Sequence, residues 1–161
     1  MANVIIRDYN QQDWSRIEEI HDSARKIELH LAGLDDAFVP LAQAAVNEGL
    51  FDYTLCVALI NDNVVGFVAY SEDEISWLYV DPDSMRQGVG KCLIMHVIEN
   101  TTQRPLGLEV LVGNDTALHL YEAMDFETTE TCSGAMPGNE SFEVTVYCMQ
   151  QKNGQDMLIS P

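Results

Sequence analysis

The chain has 161 residues, 47% of them hydrophobic, and its 26 acidic against 8 basic side chains give a formal net charge of −18. Such a surface repels phosphate backbones and anionic lipid, which argues against nucleic acid or a membrane as the main partner. No apolar run approaches the ~18 to 20 residues of a membrane span and no export signal is apparent, so we expect a cytoplasmic protein. The length favours one domain over residues 1–150, followed by a polar C-terminal tail over residues 151–161.

The first third of the sequence predicts a strand and two helices. Residues 4–9 form the predicted strand. Apolar side chains then recur at helical spacing up to Gly33: Trp14, Ile17, Ile20, Ala24, Ile27 and Leu31. Asp35 or Asp36 can cap a second helix that ends at Gly49. The side chains predicted to share one face of this helix are Phe38, Leu41, Ala42, Ala45 and Val46.

The middle of the chain predicts three neighbouring strands. Residues 53–60 and 64–70 are rich in β-branched and aromatic side chains, and Asn61-Asp62-Asn63 between them is a hairpin signal. A third apolar run follows closely at residues 75–80. We expect these strands to pair antiparallel and to form the first half of a sheet. Helical spacing returns over residues 92–100.

The last third predicts a strand, a helix and two closing strands. Residues 106–112 form the next predicted strand, and Asn114 or Asp115 can cap the helix after it. The apolar face of that helix contains Ala117, Leu120, Tyr121 and Met124. Two closing strands are expected at residues 126–132 and 142–149. The Gly- and Pro-containing segment between them, residues 133–139, is expected to be a loop.

The cysteines show no short paired spacing of the kind that zinc sites and redox motifs use. They are Cys56, Cys92, Cys132 and Cys148. We therefore expect reduced, mostly buried thiols and no metal site. The four histidines are equally scattered and are expected on the surface or on helices.

The most informative segment is the glycine loop, residues 85–91, which joins the third strand to a helix expected to begin at Lys91. Gly88 and Gly90 let the main chain approach a ligand with its N–H groups exposed, and the helix adds the positive end of its dipole. An anion such as a pyrophosphate can be held there. Arg86 and Lys91 belong to the same loop although the chain has only 8 basic residues.

The known nucleotide motifs do not fit this loop. A dinucleotide-binding turn requires glycine at the position of Leu93. A Walker loop requires glycine at the position of Met85 and serine or threonine at that of Cys92. By itself the loop leaves two explanations open, a ligand site or a turn that needs glycine for steric reasons.

A second pattern follows, with Leu108-Glu109-Val110-Leu111-Val112-Gly113-Asn114 in front of Leu120-Tyr121-Glu122 and Phe126. Together with the Gln-Gly-Val-Gly loop it resembles the GCN5-related N-acetyltransferase (GNAT) family over nearly the whole chain. Two positions depart from the family pattern. Met85 stands where Arg or Gln is usual, and Asp125 replaces the glycine before the final aromatic residue.

The resemblance implies an α/β (α+β) fold, in which about four helices flank a mixed, mostly antiparallel sheet of about six to seven strands. It also implies an enzyme that transfers the acetyl group of acetyl-CoA to a primary amine by direct attack in a ternary complex. The acidic composition favours a cationic acceptor, either a small amine or a protein amine. Exposed edge strands make a homodimer possible. The alternative is a non-catalytic sensor that binds acyl-CoA.

The resemblance also implies the cofactor-binding residues. The backbone of Leu78, Tyr79 and Val80 is expected to pair with the pantetheine arm. The pyrophosphate is expected to be surrounded by Arg86, Gln87, Gly88, Val89, Gly90 and Lys91. Asn114 has two compatible roles, as the cap of its helix and as a polar contact of the cofactor arm.

Two residues are implied as catalytic. Tyr121 matches the general acid that protonates the thiolate of coenzyme A, although its spacing also fits a tyrosine of the core. Glu109 is a candidate base, and a solvated carboxylate without a catalytic role is an equal alternative. Glu72, Asp73 and Glu74 between two strands are rival bases, which the sequence does not rank against Glu109.

Overall fold

A computed structural model of the protein describes residues 2–152. It confirms the expected mixed α/β architecture, with seven strands and four α-helices in this range. In chain order they are β1 (Ile5–Asp8), α1 (Trp14–Leu31), α2 (Leu41–Asn47), β2 (Thr54–Ile60), β3 (Asn63–Tyr70), β4 (Ile75–Val80), α3 (Val89–Asn100), β5 (Gly107–Leu111), α4 (Asp115–Ala123), β6 (Phe126–Met136) and β7 (Asn139–Gln151). Across residues 2–152, the helices are too short or too polar to cross a bilayer.

The strands form two antiparallel sheets that separate at one point. Strands β1-β2-β3-β4 make the first sheet in that order, and β5-β7-β6 make the second. A single parallel bridge between Glu74 and Gly107 joins them, where the Gly107 amide donates to the Asp73 carbonyl at 2.8 Å. Beyond this bridge β4 and β5 diverge, and a cavity of about 80 Å³ opens between them. We refer to this gap as the cleft.

Helices cover both faces of the sheets. On one face α3 and α4 bury a continuous apolar cluster that includes Val68, Leu93, Leu108 and Tyr121 and therefore spans both sheets. On the other face the start of α1 packs on the first sheet and its end on the second, since Ile17 and Leu29 belong to separate apolar clusters. Helix α1 therefore crosses over the cleft.

The first half of the chain follows the sequence prediction except at α2. Asn61 and Asp62, both with positive φ, form the expected hairpin turn between β2 and β3. Helix α2 begins after Pro40 and not after Asp35, because the fixed φ of proline suits a helix start and disfavours helix in the preceding residue. The face prediction is confirmed for Leu41 and Ala45, which are buried together with Ala44. It was wrong for the others, since Phe38 precedes the helix and Ala42 and Val46 are exposed.

The second half contains two corrections. Helix α3 begins at Val89 rather than Lys91, and its N-cap residue Gly88 adopts the left-handed conformation, with φ 81°. The expected loop 133–139 is only the turn Pro137-Gly138, since β6 and β7 pair almost to their ends. Strand β7 continues through Gln151, so the expected tail begins later; residues 153–161 lie outside the described residues.

We expect the glycine that follows β5 to be essential for stability. Gly113 has φ 110°, and a Cβ atom there would lie 2.9 Å from the Leu31 carbonyl oxygen at the end of α1. Gly113→Ala should lower the free energy of unfolding by about 2 to 3 kcal/mol, because it adds backbone strain to this collision. Gly134→Ala, at a glycine on β6 with open space around it, is the matched control and should change it by less than about 0.5 kcal/mol. Urea denaturation measures both; equal stabilities of the two variants would contradict the prediction.

Candidate active site

The cleft continues into a larger cavity of about 300 Å³ between α1 and the two sheets. Residues of α1, β4, β5 and the β6–β7 hairpin line this cavity, among them Arg25, Trp77 and Met136. Glu28, Tyr79 and Glu109 are shared by the large cavity and the cleft. Molecules bound in the two spaces would therefore meet beside these three side chains.

A partly buried carboxylate, Glu28, connects the two sides of the cleft. Its side chain is 17% exposed. One oxygen accepts hydrogen bonds from Arg25 Nη1 at 2.7 Å and from the Tyr79 hydroxyl at 3.2 Å. The other accepts from Asn114 Nδ2 at 3.1 Å. Tyr79 belongs to β4 and Asn114 follows β5, so α1 fastens both edges of the cleft through a single side chain.

Tyr121 lies at the inner end of the cleft. It is 7% exposed and belongs to the apolar cluster under α3 and α4. Its ring packs edge-on against that of Phe126, with the ring centroids 5.9 Å apart. Burial, followed by the negative charge of Glu28, raises the pKa of Tyr121. The hydroxyl group therefore stays protonated far above neutral pH. Asn114 caps α4 as expected, since its Oδ1 accepts from the Ala117 amide at 3.3 Å.

The candidate bases differ in their surroundings. Glu109 is exposed and lies on the sheet face opposite to the buried Leu108 and Val110, and it lines both the cleft and the large cavity. Glu72 is engaged elsewhere: it accepts from the Thr102 amide at 2.9 Å, and this bond lowers its pKa. Glu74 also lines the large cavity and accepts from Ser76 at 2.8 Å. Of the three rivals, Glu74 thus shares the large cavity with Glu109, whereas Asp73 shares only a surface groove with it.

Strand β4 presents an open backbone edge to the cleft. In the described sheets β4 pairs only with β3, through Leu78, Tyr79 and Val80 among others. Its opposite edge faces β5 across the gap. The side chains of Leu78 and Val80 pack against the apolar cluster under α3, which leaves main-chain groups to face the cleft.

The glycine loop is held in a defined shape ahead of α3. Arg16 bonds the Val64 carbonyl at 2.9 Å and also pairs with Asp81, whose other oxygen accepts from the Asp83 amide at 3.0 Å. Arg86 then takes a positive φ of 65°. The first hydrogen bond of α3 runs from the Cys92 amide to the Gly88 carbonyl, so the preceding amides of its first turn point beyond the helix end.

The other loop residues serve different purposes. Arg86 and Lys91 are exposed at the start of α3, and Gln87 lines a separate surface groove with Arg16. Gly90 lies inside the helix, where a Cβ atom would approach Leu120 Cδ2 of α4 to 2.8 Å. Close packing of α3 on α4 therefore explains this glycine, whereas the left-handed backbone explains Gly88.

Arg25 and Glu28 were not among the predicted site residues, because an apolar stripe was expected on this part of α1. Ile27 and Leu31 were placed in that stripe, yet they are 51% and 53% exposed. The face that starts at Ile17 continues through positions 21, 25 and 28 at the spacing of one helix face. Charged residues on such a face were the available signal.

The four histidines all lie on helices, as expected, whereas the thiols are less buried than expected. His21 lies on a helix as expected but is fully buried beside the large cavity; burial lowers its pKa, and its Nδ1 lies 2.9 Å from Asp22 Oδ1. Of the four cysteines only Cys56 is buried, and the other three are half-buried. All four thiols are free, as the sequence analysis predicted.

Relatives of this chain are acetyltransferases. A family model described as an acetyltransferase (GNAT) domain matches residues 51–128, which include the glycine loop and Tyr121. The uncharacterized N-acetyltransferase YafP of Escherichia coli is 26% identical over 150 residues, or 84% of this chain and 91% of that protein. The peptidyl-lysine N-acetyltransferase YjaB of Salmonella typhimurium is 31% identical over 97 residues, or 60% of this chain and 66% of that protein. The ribosomal protein bS18 alanine N-acetyltransferase of Escherichia coli is 39% identical over 62 residues, which are 37% of this chain and 42% of that protein.

Solved structures agree in fold. A GCN5-related N-acetyltransferase from Rhodopseudomonas palustris has a TM-score of 0.74 at 19% identity and covers 94% of this chain and 97% of its own. The acetyltransferase yncA of Salmonella typhimurium, solved with acetyl-CoA, has a TM-score of 0.63 at 18% identity. The match covers 92% of this chain and 93% of yncA. The fold, the matched domain and the named relatives together show that this chain belongs to the GCN5-related N-acetyltransferase (GNAT) family and is an acyltransferase enzyme.

Proposed function

We propose that this enzyme transfers the acetyl group of acetyl-CoA to a primary amine of a cationic acceptor, without a covalent enzyme intermediate. The observation that carries the proposal is the cleft between β4 and β5, which joins Tyr121 and Asn114 to the large acidic cavity. A thioester in the cleft and an amine in the cavity would be close enough for direct attack.

The residues present fit acetyl-CoA, which would supply an activated acetyl group as a thioester. The open edge of β4 at Leu78, Tyr79 and Val80 offers main-chain donors and acceptors to the amide groups of a pantetheine arm. The amides at Gly88, Val89 and Gly90, with Arg86 and Lys91 beside them, suit a pyrophosphate at the start of α3. Gln87 adds a polar side chain nearby. The acetyl-CoA found in yncA supports this proposal at the level of the fold.

The chemistry can be divided between two side chains. Glu109 would take a proton from the acceptor amine, directly or through water, so that a neutral nitrogen attacks the thioester carbonyl. As the new C–N bond forms and the C–S bond breaks, the nitrogen would lose its second proton to water, and Tyr121 would give its proton to the departing thiolate. Solvent then returns a proton to Tyr121 and removes one from Glu109. Because the raised pKa of Tyr121 keeps it neutral, it is suited to the acid role.

The cavity lining supports a cationic acceptor. Four glutamates line it against a single arginine, Arg25, which Glu28 already pairs. The glutamates are Glu28, Glu48, Glu74 and Glu109. Trp77 and Tyr53 add aromatic walls, which attract ammonium groups through their π faces. Two relatives are named for protein amines, a lysine side chain and an N-terminal alanine, so a protein amine fits as well as a small one.

We also propose a cytoplasmic location, which the free thiols support because reduced cysteines persist in a reducing compartment. The outer edges of β1 and β6 carry no strand partner among residues 2–152, so a homodimer formed by edge pairing belongs to the same proposal. Residues 1–150 are proposed to act as one domain.

Replacement of the proposed acid tests the mechanism. Tyr121→Phe keeps the packing and removes the proton, and we expect kcat to fall by about 10²-fold with little change in the KM for acetyl-CoA. Tyr70→Phe, at another buried tyrosine in the same apolar cluster, is the matched control and should keep wild-type kcat. Release of free thiol from acetyl-CoA across a panel of amines measures both. A fully active Tyr121→Phe would remove Tyr121 from the reaction, whereas cofactor binding without turnover on any acceptor would favour the sensor.

The pH dependence gives a second test of Tyr121. Its pKa is raised above the ordinary value of about 10, so the proton it must donate is present below that pH and is lost only above it. We expect no decline of kcat up to about pH 10, because the Tyr121 proton is still present there. A decline of kcat between about pH 7 and 9, in buffers that keep the protein folded, would contradict a buried tyrosine acid.

The variants Glu109→Gln and Glu74→Gln distinguish between the two candidate bases that line the large cavity. Glu109→Gln should lower kcat by about 10²-fold at neutral pH. Glu127→Gln, at an exposed glutamate of β6 in the same sheet, is the control and should have no effect. Full activity of Glu109→Gln combined with a loss in Glu74→Gln would assign the base to Glu74. Steady-state kinetics with saturating acetyl-CoA decides between them.

A further inference from the structure

Two cysteines that are distant in sequence meet on the sheet formed by β5, β7 and β6. Cys132 Sγ of β6 and Cys148 Sγ of β7 lie 3.5 Å apart, and both thiols are free and half-buried. The sequence analysis expected no metal site because it considered only short spacings. The pairing of β6 with β7 brings these distant residues together. Glu130 lies opposite Cys148 and Cys132 lies opposite Val146, so all three side chains are on the same face of the sheet.

Carboxylates complete the cluster. Oxygen and sulfur ligand atoms of Glu130, Cys132 and Cys148 all lie within 4.8 Å of one another. Glu109 of β5 lies opposite Cys148 in the sheet, and its Oε2 is 4.0 Å from Cys148 Sγ. Three adjacent strands therefore direct two thiols and two carboxylates to one point on the same sheet face.

The spacing suits a tetrahedral cation with sulfur ligands. Zinc–sulfur bonds of ~2.3 Å at tetrahedral angles place two sulfur atoms about 3.8 Å apart, and a zinc-bound carboxylate oxygen about 3.6 Å from each sulfur. The two thiols already have nearly this separation, 3.5 Å. Small rotations of the exposed side chains of Glu130 and Glu109 would bring their oxygens to bonding distance.

The backbone holds the cluster in place and the surroundings favour a cation. Strand β7 is bonded on both sides, and an irregularity after Thr128 brings Glu130 into register with Cys148. The adjoining surface groove is lined by four carboxylates and, within residues 2–152, by no basic side chain. The carboxylates are Asp73, Glu74, Glu109 and Glu130. The net charge of −18 adds long-range attraction.

We propose that Cys132, Cys148 and Glu130 bind one divalent cation that prefers thiolates, such as Zn²⁺, with Glu109 or water as the fourth ligand. Each thiol releases its proton to solvent as its bond to the metal forms. Magnesium and calcium are disfavoured because they prefer oxygen ligands throughout. The proposal does not rest on acetyl transfer, and its test measures binding alone.

Cobalt and zinc titrations of the whole chain test the site. In reduced, chelator-treated protein we expect Co²⁺ to produce a thiolate-to-cobalt charge-transfer band that saturates at one ion per chain and that Zn²⁺ removes. Cys132→Ser and Cys148→Ser should each weaken binding by more than about 10-fold. Cys92→Ser, at a half-buried thiol of α3, is the matched control and should keep the band and the affinity.

Thermal denaturation with and without Zn²⁺ tests the same site even if a variant is less stable, because it compares the Tm of each variant with and without the metal. Zn²⁺ should raise the Tm of wild type and of Cys92→Ser by mass action, and it should not raise that of the double variant Cys132→Ser, Cys148→Ser. Absence of a thiolate band in reduced wild type would overturn the proposal. A band that persists in the double variant, or full competition by Mg²⁺ at equal concentration, would overturn it as well.

Discussion

The break between β4 and β5 is the constraint on which the rest of this structure depends. One bridge at Glu74 and Gly107 joins the sheets, and beyond it their backbone edges are separated. Helix α1 crosses this gap and places Glu28 where Tyr79 and Asn114 can bond it from opposite sides. A partly buried carboxylate is stable only when it is paired and hydrogen-bonded. The charge of Glu28 is therefore stabilised by Arg25 together with the donors on Tyr79 and Asn114. The polar network therefore fixes the width of the cleft.

Apolar packing closes the opposite face of the same gap. The cluster under α3 and α4 includes residues of both sheets, so apolar side chains fill that side of the cleft. Tyr121 belongs to this cluster and also reaches the cleft. The two explanations that its sequence position allowed, core tyrosine and proton donor, are thus compatible. Burial in the core is what raises the pKa of the hydroxyl and preserves the proton that a general acid requires.

Local signals predicted the fold well, and contacts between distant residues account for what was missed. The Asn61-Asp62 turn, the Asn114 cap and the alternation around Glu109 are read from a few neighbouring residues, and the structure confirms each. The only local signal of Glu28 is its place on the buried face of α1, and its partners could not be predicted because they come from β4 and from the end of β5. Cys132 and Cys148 meet through strand register, which short spacing does not encode. Even Gly90 is explained by Leu120 of another helix.

Glu109 connects the two proposed functions of the second sheet. It lines the cleft and the large cavity on one side and lies 4.0 Å from Cys148 on the other. A carboxylate that coordinates a divalent cation has lost much of its basicity, because the cation stabilises its ionised form. If Glu109 is the fourth ligand of the proposed cation, metal binding and proton removal by Glu109 would therefore oppose each other. The same positive charge would also weaken the attraction of the acidic cavity for the proposed cationic amine, so a cation at the cysteine site would act against acceptor binding as well.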